Sequence, residues 1–222
     1  MEKKTQLTTA VIGLGNIGKV VATNLVKGNR SVIVADRSLP KAKTLAKELG
    51  SLARPLEIAQ AIKEADIVVL AIWFAAIKEV LVQYAAELEG KIIVDPSNPI
   101  ALDGKGGFVK TIGEKESAGR LLSALLPKGA KLLKAFGTLG AATLSNAAFA
   151  EPERKVLLYA TDNRGIDAAA QALIHDSGFE ALRVGDLDQS IRIEVFGDLH
   201  EYGKLGKAVT LAEAEQELGA TV

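Results

Sequence analysis

Short apolar runs rich in β-branched residues alternate along this chain with longer segments of helical periodicity. This alternation is typical of βαβ units and predicts an α/β fold, a Rossmann-type doubly wound and mainly parallel sheet. Several runs are continuously apolar, as strands covered on both faces are. We expect strands at Thr8–Ile12, Ser31–Ala35, Ser51–Ala53, Asp66–Ile72, Lys91–Asp95, Lys131–Ala135, Lys155–Ala160 and Ala181–Val184. We expect helices at Ile17–Lys27, Lys41–Leu49, Leu56–Ala65, Ala75–Leu88, Ser117–Leu126, Gly165–Ser177 and near the C-terminus.

The length favours a single domain over residues 1–222. Residues 1–138 form the predicted dinucleotide-binding core, and residues 139–222 form a short C-terminal extension that continues the sheet and completes the substrate cleft. The stretch Ala101–Gly113, with Gly104, Gly106 and Gly107, is expected to be one long loop, functional or mobile.

Charge and cysteine content exclude several classes of function. The 27 Lys and Arg residues balance the 27 Asp and Glu residues, so no basic patch is expected for a nucleic acid or a membrane surface. There is no cysteine, which excludes disulfides, thiolate nucleophiles and sulfur-ligated metals. The longest apolar run, Ile67 to Ile77, is too short to cross a bilayer. We expect a cytoplasmic protein.

A glycine turn lies between the first predicted strand and the first predicted helix. Its residues, Gly13, Leu14, Gly15, Asn16, Ile17 and Gly18, read G-x-G-x-x-G. In this setting Gly13 makes the tight turn, Gly15 admits a pyrophosphate and Gly18 lets the helix pack against the strand. The N–H groups at the start of the helix then face the phosphates, so the turn predicts a dinucleotide site.

Asp36 directly follows the second predicted strand, 18 residues after Gly18. A carboxylate at this place accepts hydrogen bonds from the adenosine ribose and favours NAD. Arg37 indicates the opposite, because a guanidinium pairs well with the 2′-phosphate of NADP, and Ser38 and Lys41 add donors. The choice between NAD and NADP therefore stays open at this stage.

Three further segments follow predicted strands and should meet at the carboxyl edge of the sheet, where ligands of open parallel sheets bind. Ala71 and Ile72 complete the predicted cofactor-binding set. The predicted rim of the nicotinamide and substrate site consists of Trp73, Phe74, Ser97, Asn98, Phe136, Gly137 and Thr138.

Acid–base machinery is missing from this set. The two histidines, His175 and His200, lie apart from one another and from any plausible nucleophile, so neither a hydrolase triad nor a metal site is expected. Oxidation of an alcohol needs a base, whereas hydride exchange between two bound rings needs mainly proximity and orientation. No catalytic acid or base is therefore predicted.

These motifs resemble a known family. The Gly13–Gly18 turn, Asp95-Pro96-Ser97-Asn98-Pro99 and Lys134-Ala135-Phe136-Gly137-Thr138 are similar, in order and spacing, to those of the NADP oxidoreductases that depend on the deazaflavin coenzyme F-420. The oxidoreductase domain of the six-transmembrane metalloreductases has the same pattern. Family members commonly have Ser-Arg or Asn-Arg in place of Asp36-Arg37, and Asn in place of Gly137.

The resemblance implies a homodimeric, NADPH-binding Rossmann enzyme that moves hydride between nicotinamide and a flavin or deazaflavin co-substrate. We therefore predict an NAD(P)H-dependent oxidoreductase with NADP, or alternatively NAD, as its cofactor. Two alternatives are a small carbonyl or imine reductase and a dinucleotide-binding regulatory module without turnover.

Overall fold

The computed structural model describes residues 6–219. Its strands are β1 Thr9–Ile12, β2 Val32–Ala35, β3 Ala53–Pro55, β4 Ile67–Leu70, β5 Ile92–Asp95, β6 Ile100–Leu102, β7 Phe108–Lys110, β8 Lys131–Lys134, β9 Val156–Ala160 and β10 Glu180–Gly185. Its α-helices are α1 Asn16–Lys27, α2 Leu39–Leu49, α3 Ile58–Glu64, α4 Phe74–Gln83, α5 Ala85–Leu88, α6 Ala118–Ser123, α7 Ala141–Asn146, α8 Asp167–Asp176, α9 Ser190–Ile193 and α10 Leu211–Gly219. Two 3₁₀ turns lie at Arg164–Ile166 and Leu187–Gln189.

Eight strands form one sheet in the order β10-β9-β8-β5-β4-β1-β2-β3. The six strands from β8 to β3 are parallel, and β9 and β10, parallel to each other, run opposite to β8. The predicted doubly wound, mainly parallel Rossmann sheet is confirmed, and the segment after residue 139 adds β9 and β10 to it.

Alternate side chains of each central strand face opposite helical layers. In β1, Val11 packs towards α1, α2, α7 and α8, whereas Ala10 and Ile12 pack towards α3, α4 and α6. All four residues of β1, β2, β4 and β5 are buried, which is why their sequences read as continuous apolar runs. A third cluster packs β9 against α9 and α10.

Two predicted elements differ from the observed ones. The loop expected at Ala101–Gly113 is largely an exposed hairpin of β6 and β7. Gly104, Gly106 and Gly107 lie in the turn of this hairpin, where Asp103 Oδ1 accepts the N–H groups of Lys105 (2.7 Å) and Gly107 (2.8 Å). The single helix expected at Ala75–Leu88 is interrupted at Tyr84, whose φ of −113° separates α4 from α5.

None of the helices within residues 6–219 is long and apolar enough to cross a bilayer.

A buried ion pair joins β5 to β8 near the carboxyl edge of the sheet. Lys134 Nζ lies 2.8 Å from Asp95 Oδ2, and the two side chains are 2% and 0% exposed. Lys134 Nζ also donates to the carbonyl oxygen of Ser97, and Asp95 Oδ1 accepts the N–H of Ser97 at 2.7 Å. The pair therefore fixes the turn that follows β5.

We predict that Lys134→Met lowers the free energy of unfolding by roughly 3–5 kcal/mol, because it leaves the Asp95 carboxylate buried without its cation. Urea unfolding followed by circular dichroism measures the change. The matched control is Lys131→Met on the same strand, whose ammonium bonds only to the exposed carbonyl of Gly129 and should cost far less. Equal losses in both variants would contradict the importance of the pair.

Candidate functional site

The carboxyl ends of β8, β5, β4 and β1 lie side by side at one edge of the sheet. The chain connections reverse direction between β1 and β4, and such a switch point is where open α/β sheets bind ligands. The glycine turn and all three predicted rim segments begin at these four strand ends. The sheet therefore brings the predicted site segments to a common edge.

Two glycines of the turn are required by close approach of the backbone. A Cβ at Gly13, whose φ is +88°, would lie 2.4 Å from Ile72 Cγ2 and 2.6 Å from the carbonyl oxygen of Ala71. A Cβ at Gly18 would lie 1.8 Å from the carbonyl oxygen of Gly13. The turn is thus packed tightly onto the end of β4.

Gly15 differs, because no atom lies within 4 Å of the position its Cβ would take. It precedes α1, a 12-residue helix whose first turn has neither a side-chain cap nor an acidic residue. The N–H groups at the start of α1 therefore lack a side-chain partner, next to open space. This is the arrangement that binds the pyrophosphate of a dinucleotide.

The carboxylate of Asp36 is occupied by groups of the protein itself. Oδ2 accepts the N–H of Leu14 at 2.8 Å and lies 3.2 Å from Lys41 Nζ, and Oδ1 accepts the N–H of Ser38 at 3.2 Å. Burial by itself raises the pKa of Asp36, but these hydrogen bonds and the Lys41 charge outweigh it and hold the pKa below its usual value. Asp36 therefore ties the glycine turn to the end of β2 as an anion.

Arg37 and Ser38 are exposed beside this carboxylate. Neither side chain has a hydrogen-bond or ion-pair partner within the described part of the chain, although the backbone N–H of Ser38 is bonded to Asp36. The end of β2 thus presents a free guanidinium and a free hydroxyl, with the negative charge of Asp36 balanced by Lys41.

The two aromatic residues after β4 have different surroundings. Trp73 directly precedes α4 and is 61% exposed, so most of its side chain is open to solvent. Phe74 is 5% exposed, lies in the core and has Lys78 Nζ 4.6 Å from its ring centre. The structure places only Trp73 at the rim.

The turn after β5 carries Ser97 and Asn98. Ser97 Oγ is buried and has no partner within residues 6–219. The Asn98 amide is used internally, because Nδ2 donates to the carbonyl of Gly137 at 3.0 Å and Oδ1 accepts the N–H of Val195 at 2.8 Å. Asn98 therefore links the ends of β5 and β8, and Ser97 offers a free hydroxyl.

The segment after β8 turns sharply at Phe136, a buried residue with a φ of +66°. A Cβ at Gly137 would lie 2.7 Å from the carbonyl oxygen of Pro96, so the two turns touch through their backbones. Thr138 Oγ1 is buried and, like Ser97 Oγ, has no partner in the described residues. Two unpaired hydroxyls thus follow neighbouring strands.

His200 was not predicted as a site residue, yet it contacts this segment. It is 1% exposed, and its Nε2 lies 2.9 Å from the carbonyl oxygen of Gly137. The sequence gives no signal for it, since this contact spans 63 residues. His175 is exposed in the last turn of α8, and within residues 6–219 no group of three acidic or histidine residues could hold a metal.

Comparison with known proteins agrees with the sequence motifs. Residues 8–99 match the model of the family described as NADP oxidoreductase coenzyme F420-dependent. An F420-dependent NADP reductase of Methanothermobacter marburgensis is 25% identical over 192 residues, which cover 82% of this chain and 85% of that protein. The resemblance predicted from the sequence is confirmed.

Solved structures share the fold over nearly the whole chain. A hypothetical protein from Sinorhizobium meliloti has a TM-score of 0.79 and 26% identity, covering 89% of this chain and 95% of its own. A putative F420-dependent NADP reductase from Arthrobacter has a TM-score of 0.71 and 22% identity, covering 91% and 96%.

Other matches are partial. A glutamyl-tRNA reductase of Methanococcus maripaludis is 35% identical over 104 residues, which cover 45% of this chain. The matched part spans only about a quarter of that protein, 26%.

We predict that Gly15→Val abolishes NADPH binding while the protein remains folded. The valine side chain has room in the protein but occupies the space above the start of α1. Ligand-induced thermal shift measures binding, and circular dichroism measures folding. Thr23→Val, which places the same valine side chain on the exposed part of α1, is the control and should keep full NADPH binding. Tight NADPH binding by Gly15→Val would show that the dinucleotide lies elsewhere.

Proposed function

We propose that this chain uses NADP(H) as its nicotinamide cofactor and exchanges hydride with a flavin-like ring, either a flavin or a deazaflavin. The observation that carries the cofactor assignment is the internal neutralisation of Asp36. A carboxylate that already accepts from Leu14, Ser38 and Lys41 is poorly placed to select a ribose hydroxyl. The adjacent Arg37 is free to pair with a phosphate.

The residues around the glycine turn have separate roles in this proposal. The N–H groups at Gly15 and Asn16 hold the pyrophosphate. Arg37 binds the 2′-phosphate through its guanidinium, and Ser38 adds a hydroxyl donor. Lys41 keeps the charge of Asp36 from repelling that phosphate, since its ammonium lies 3.2 Å from the carboxylate.

The nicotinamide half is assigned to the ends of β4, β5 and β8. Bound NADPH supplies the hydride, and the protein orients the two rings. The buried hydroxyls of Ser97 and Thr138 have unused hydrogen-bonding capacity for the nicotinamide carboxamide. Trp73, with its exposed indole, offers a flat apolar face to the acceptor ring.

The surroundings of the histidines support ring-to-ring transfer. His200 uses both ring nitrogens in contacts with the protein, and His175 lies on the exposed end of α8. Glu194 is buried; its Oε1 accepts from Ala118 N–H (2.9 Å) and Ser190 Oγ (2.6 Å), and its Oε2 has no partner within residues 6–219. Neither imidazole is available as a general acid or base for a carbonyl substrate.

The proposal includes a homodimer. The β6–β7 hairpin presents Leu102, Phe108 and Val109 to solvent, at 68%, 46% and 48% exposure. A lone two-stranded hairpin gains little stability in water, so burial against a second copy would be favourable. Light scattering after size-exclusion chromatography measures the oligomeric state.

We predict that Arg37→Met weakens NADPH binding by on the order of tenfold to a hundredfold, because a charge-assisted contact with the 2′-phosphate is lost. NADH binding should change by less than about threefold, since NADH lacks that phosphate. Isothermal titration calorimetry with both nucleotides measures the ratio.

Lys43→Met removes an exposed cation from α2 and is the matched control for general charge effects. If Arg37→Met and Lys43→Met lower NADPH affinity equally, the 2′-phosphate is not bound at the end of β2. If the wild-type protein prefers NADH, the NADP assignment is wrong.

We predict that the protein oxidises NADPH with FMN, FAD or a 5-deazaflavin as acceptor, and that Thr138→Val lowers kcat by on the order of tenfold with NADPH affinity changed less than threefold. The substitution keeps the shape and removes only a hydroxyl that has no protein partner. Stopped-flow nicotinamide absorbance measures turnover.

Thr44→Val, an exposed position on α2, is the control and should behave as wild type. Turnover with simple carbonyl or imine substrates but not with flavins would favour the small reductase. Tight NADPH binding without turnover of any of these acceptors would favour a regulatory module.

A further inference from the structure

The carbonyl oxygen of Gly137 accepts two side-chain hydrogen bonds from distant parts of the chain. Asn98 Nδ2 lies 3.0 Å away and His200 Nε2 lies 2.9 Å away. A carbonyl oxygen has two lone pairs, so both are used. The peptide plane that follows Gly137 is therefore held from two sides.

The imidazole of His200 is itself fixed by its own turn. Its Nδ1 accepts the N–H of Tyr202 at 2.9 Å, which requires Nδ1 to be unprotonated. The proton of the neutral ring is then on Nε2 and is donated to Gly137. Both the tautomer and the orientation of His200 follow from these two contacts.

The segment that His200 holds needs such support. Phe136 has a φ of +66°, a conformation that costs a non-glycine residue free energy and persists only where the surroundings enforce it. Thr138 is held as well, because its carbonyl oxygen accepts the N–H of Glu201 at 3.1 Å. Residues 200 and 201 thus brace the segment Phe136–Thr138 together.

We propose that His200 is a positioning residue for hydride transfer, which acts through the Gly137 carbonyl to hold Phe136–Thr138 against the nicotinamide half of the bound cofactor. This inference rests on the proposed function. His200 touches neither hydroxyl that is assigned to the nicotinamide, so its effect passes through the backbone of β8's exit segment. The glycine turn assigned to the pyrophosphate follows β1, which is separated from β8 by β5 and β4. A change at His200 should therefore leave pyrophosphate binding unaffected.

Two substitutions separate the contacts of His200. His200→Asn keeps an oxygen that can accept the N–H of Tyr202 within the same turn, but its side chain is too short to donate to Gly137. His200→Gln reaches as far as Nε2 and keeps a donor for Gly137. His175→Asn and His175→Gln, on the exposed end of α8, are the matched controls.

The experiment measures three quantities for each variant: the rate of nicotinamide oxidation with a flavin or deazaflavin in a single turnover, the affinity for NADPH, and the affinity for 2′-phospho-ADP-ribose. We expect His200→Asn to lower the rate by on the order of tenfold to a hundredfold. Its affinity for 2′-phospho-ADP-ribose, which lacks nicotinamide, should stay within about threefold of wild type. His200→Gln should recover most of the rate.

A pH profile gives a readout that loss of packing alone does not produce. Burial lowers the pKa of His200 below its usual 6.5, and the charge of Lys134 on β8 acts in the same direction, whereas the Gly137 contact and the charge of Glu201 act against it. Protonation of Nδ1 would turn this nitrogen from an acceptor into a donor that faces the N–H of Tyr202. The hydrogen bond that orients the ring would then be lost. The wild-type rate should therefore fall as the pH drops through this lowered pKa, and not already at pH 6.5.

The stability of the fold should change in the same direction. Because the folded pKa is depressed, the unfolded chain binds the proton first, so the stabilisation is present above pH 6.5 and is lost as the pH falls towards the folded value. His200→Gln has no titrating group at this position and should lack this acid limb in both rate and stability.

The outcomes distinguish this inference from the function on which it rests. A wild-type protein that binds NADPH but reduces no flavin-type acceptor overturns the proposed acceptor. The positioning role is then tested by the fluorescence of bound NADPH: a change in His200→Asn but not in His200→Gln supports the role, and unchanged fluorescence in both variants overturns it. An active wild type with unchanged rate in His200→Asn overturns the role of His200. Equal losses in His200→Asn and His200→Gln, or parallel loss of 2′-phospho-ADP-ribose affinity, also overturn it.

Discussion

The parallel pairing of β1, β4, β5 and β8 is the constraint on which the rest of this structure depends. Parallel strands in adjacent positions end at the same edge, so the segments that leave them are brought together without any direct sequence signal. The segment that follows each of these strands, called its exit, makes close backbone contact with the exit of a neighbouring strand. Gly13 packs on Ala71 and Gly137 packs on Pro96, in both cases at distances that no Cβ would allow.

Charges at this edge are mostly balanced inside the protein. Asp95 is paired with Lys134 in the interior, and Asp36 is paired with Lys41 at the end of β2. The pairs differ in their surroundings, because both ions of the first pair are buried and must compensate each other's desolvation, whereas the Lys41 side chain of the second pair is half exposed. Beside the second pair lies the exposed guanidinium of Arg37, which has no ion-pair partner within residues 6–219.

Residues 195–201 of the C-terminal segment form hydrogen bonds with the segments that follow β5 and β8 at the carboxyl edge of the sheet. Val195 donates to Asn98, His200 donates to Gly137, and Glu201 donates to Thr138. The exits of β5 and β8 are therefore held by residues that follow them by 63 to 97 positions in the chain. Residues of the C-terminal segment thus hold this edge of the sheet in place.

The sequence by itself determined the sheet and its pyrophosphate turn, because apolar runs and glycine spacing are local patterns with one dominant physical meaning. It also located the strand exits that carry Ser97 and Thr138. Tertiary structure alone decided what each exit residue contacts: Asp36 binds Leu14 and Lys41, Phe74 lies in the core, and Asn98 bonds to Gly137 and Val195. These contacts depend on register and on hydrogen bonds between residues far apart in the chain. The same holds for His200, because only the folded chain brings its Nε2 within 2.9 Å of the carbonyl oxygen of Gly137.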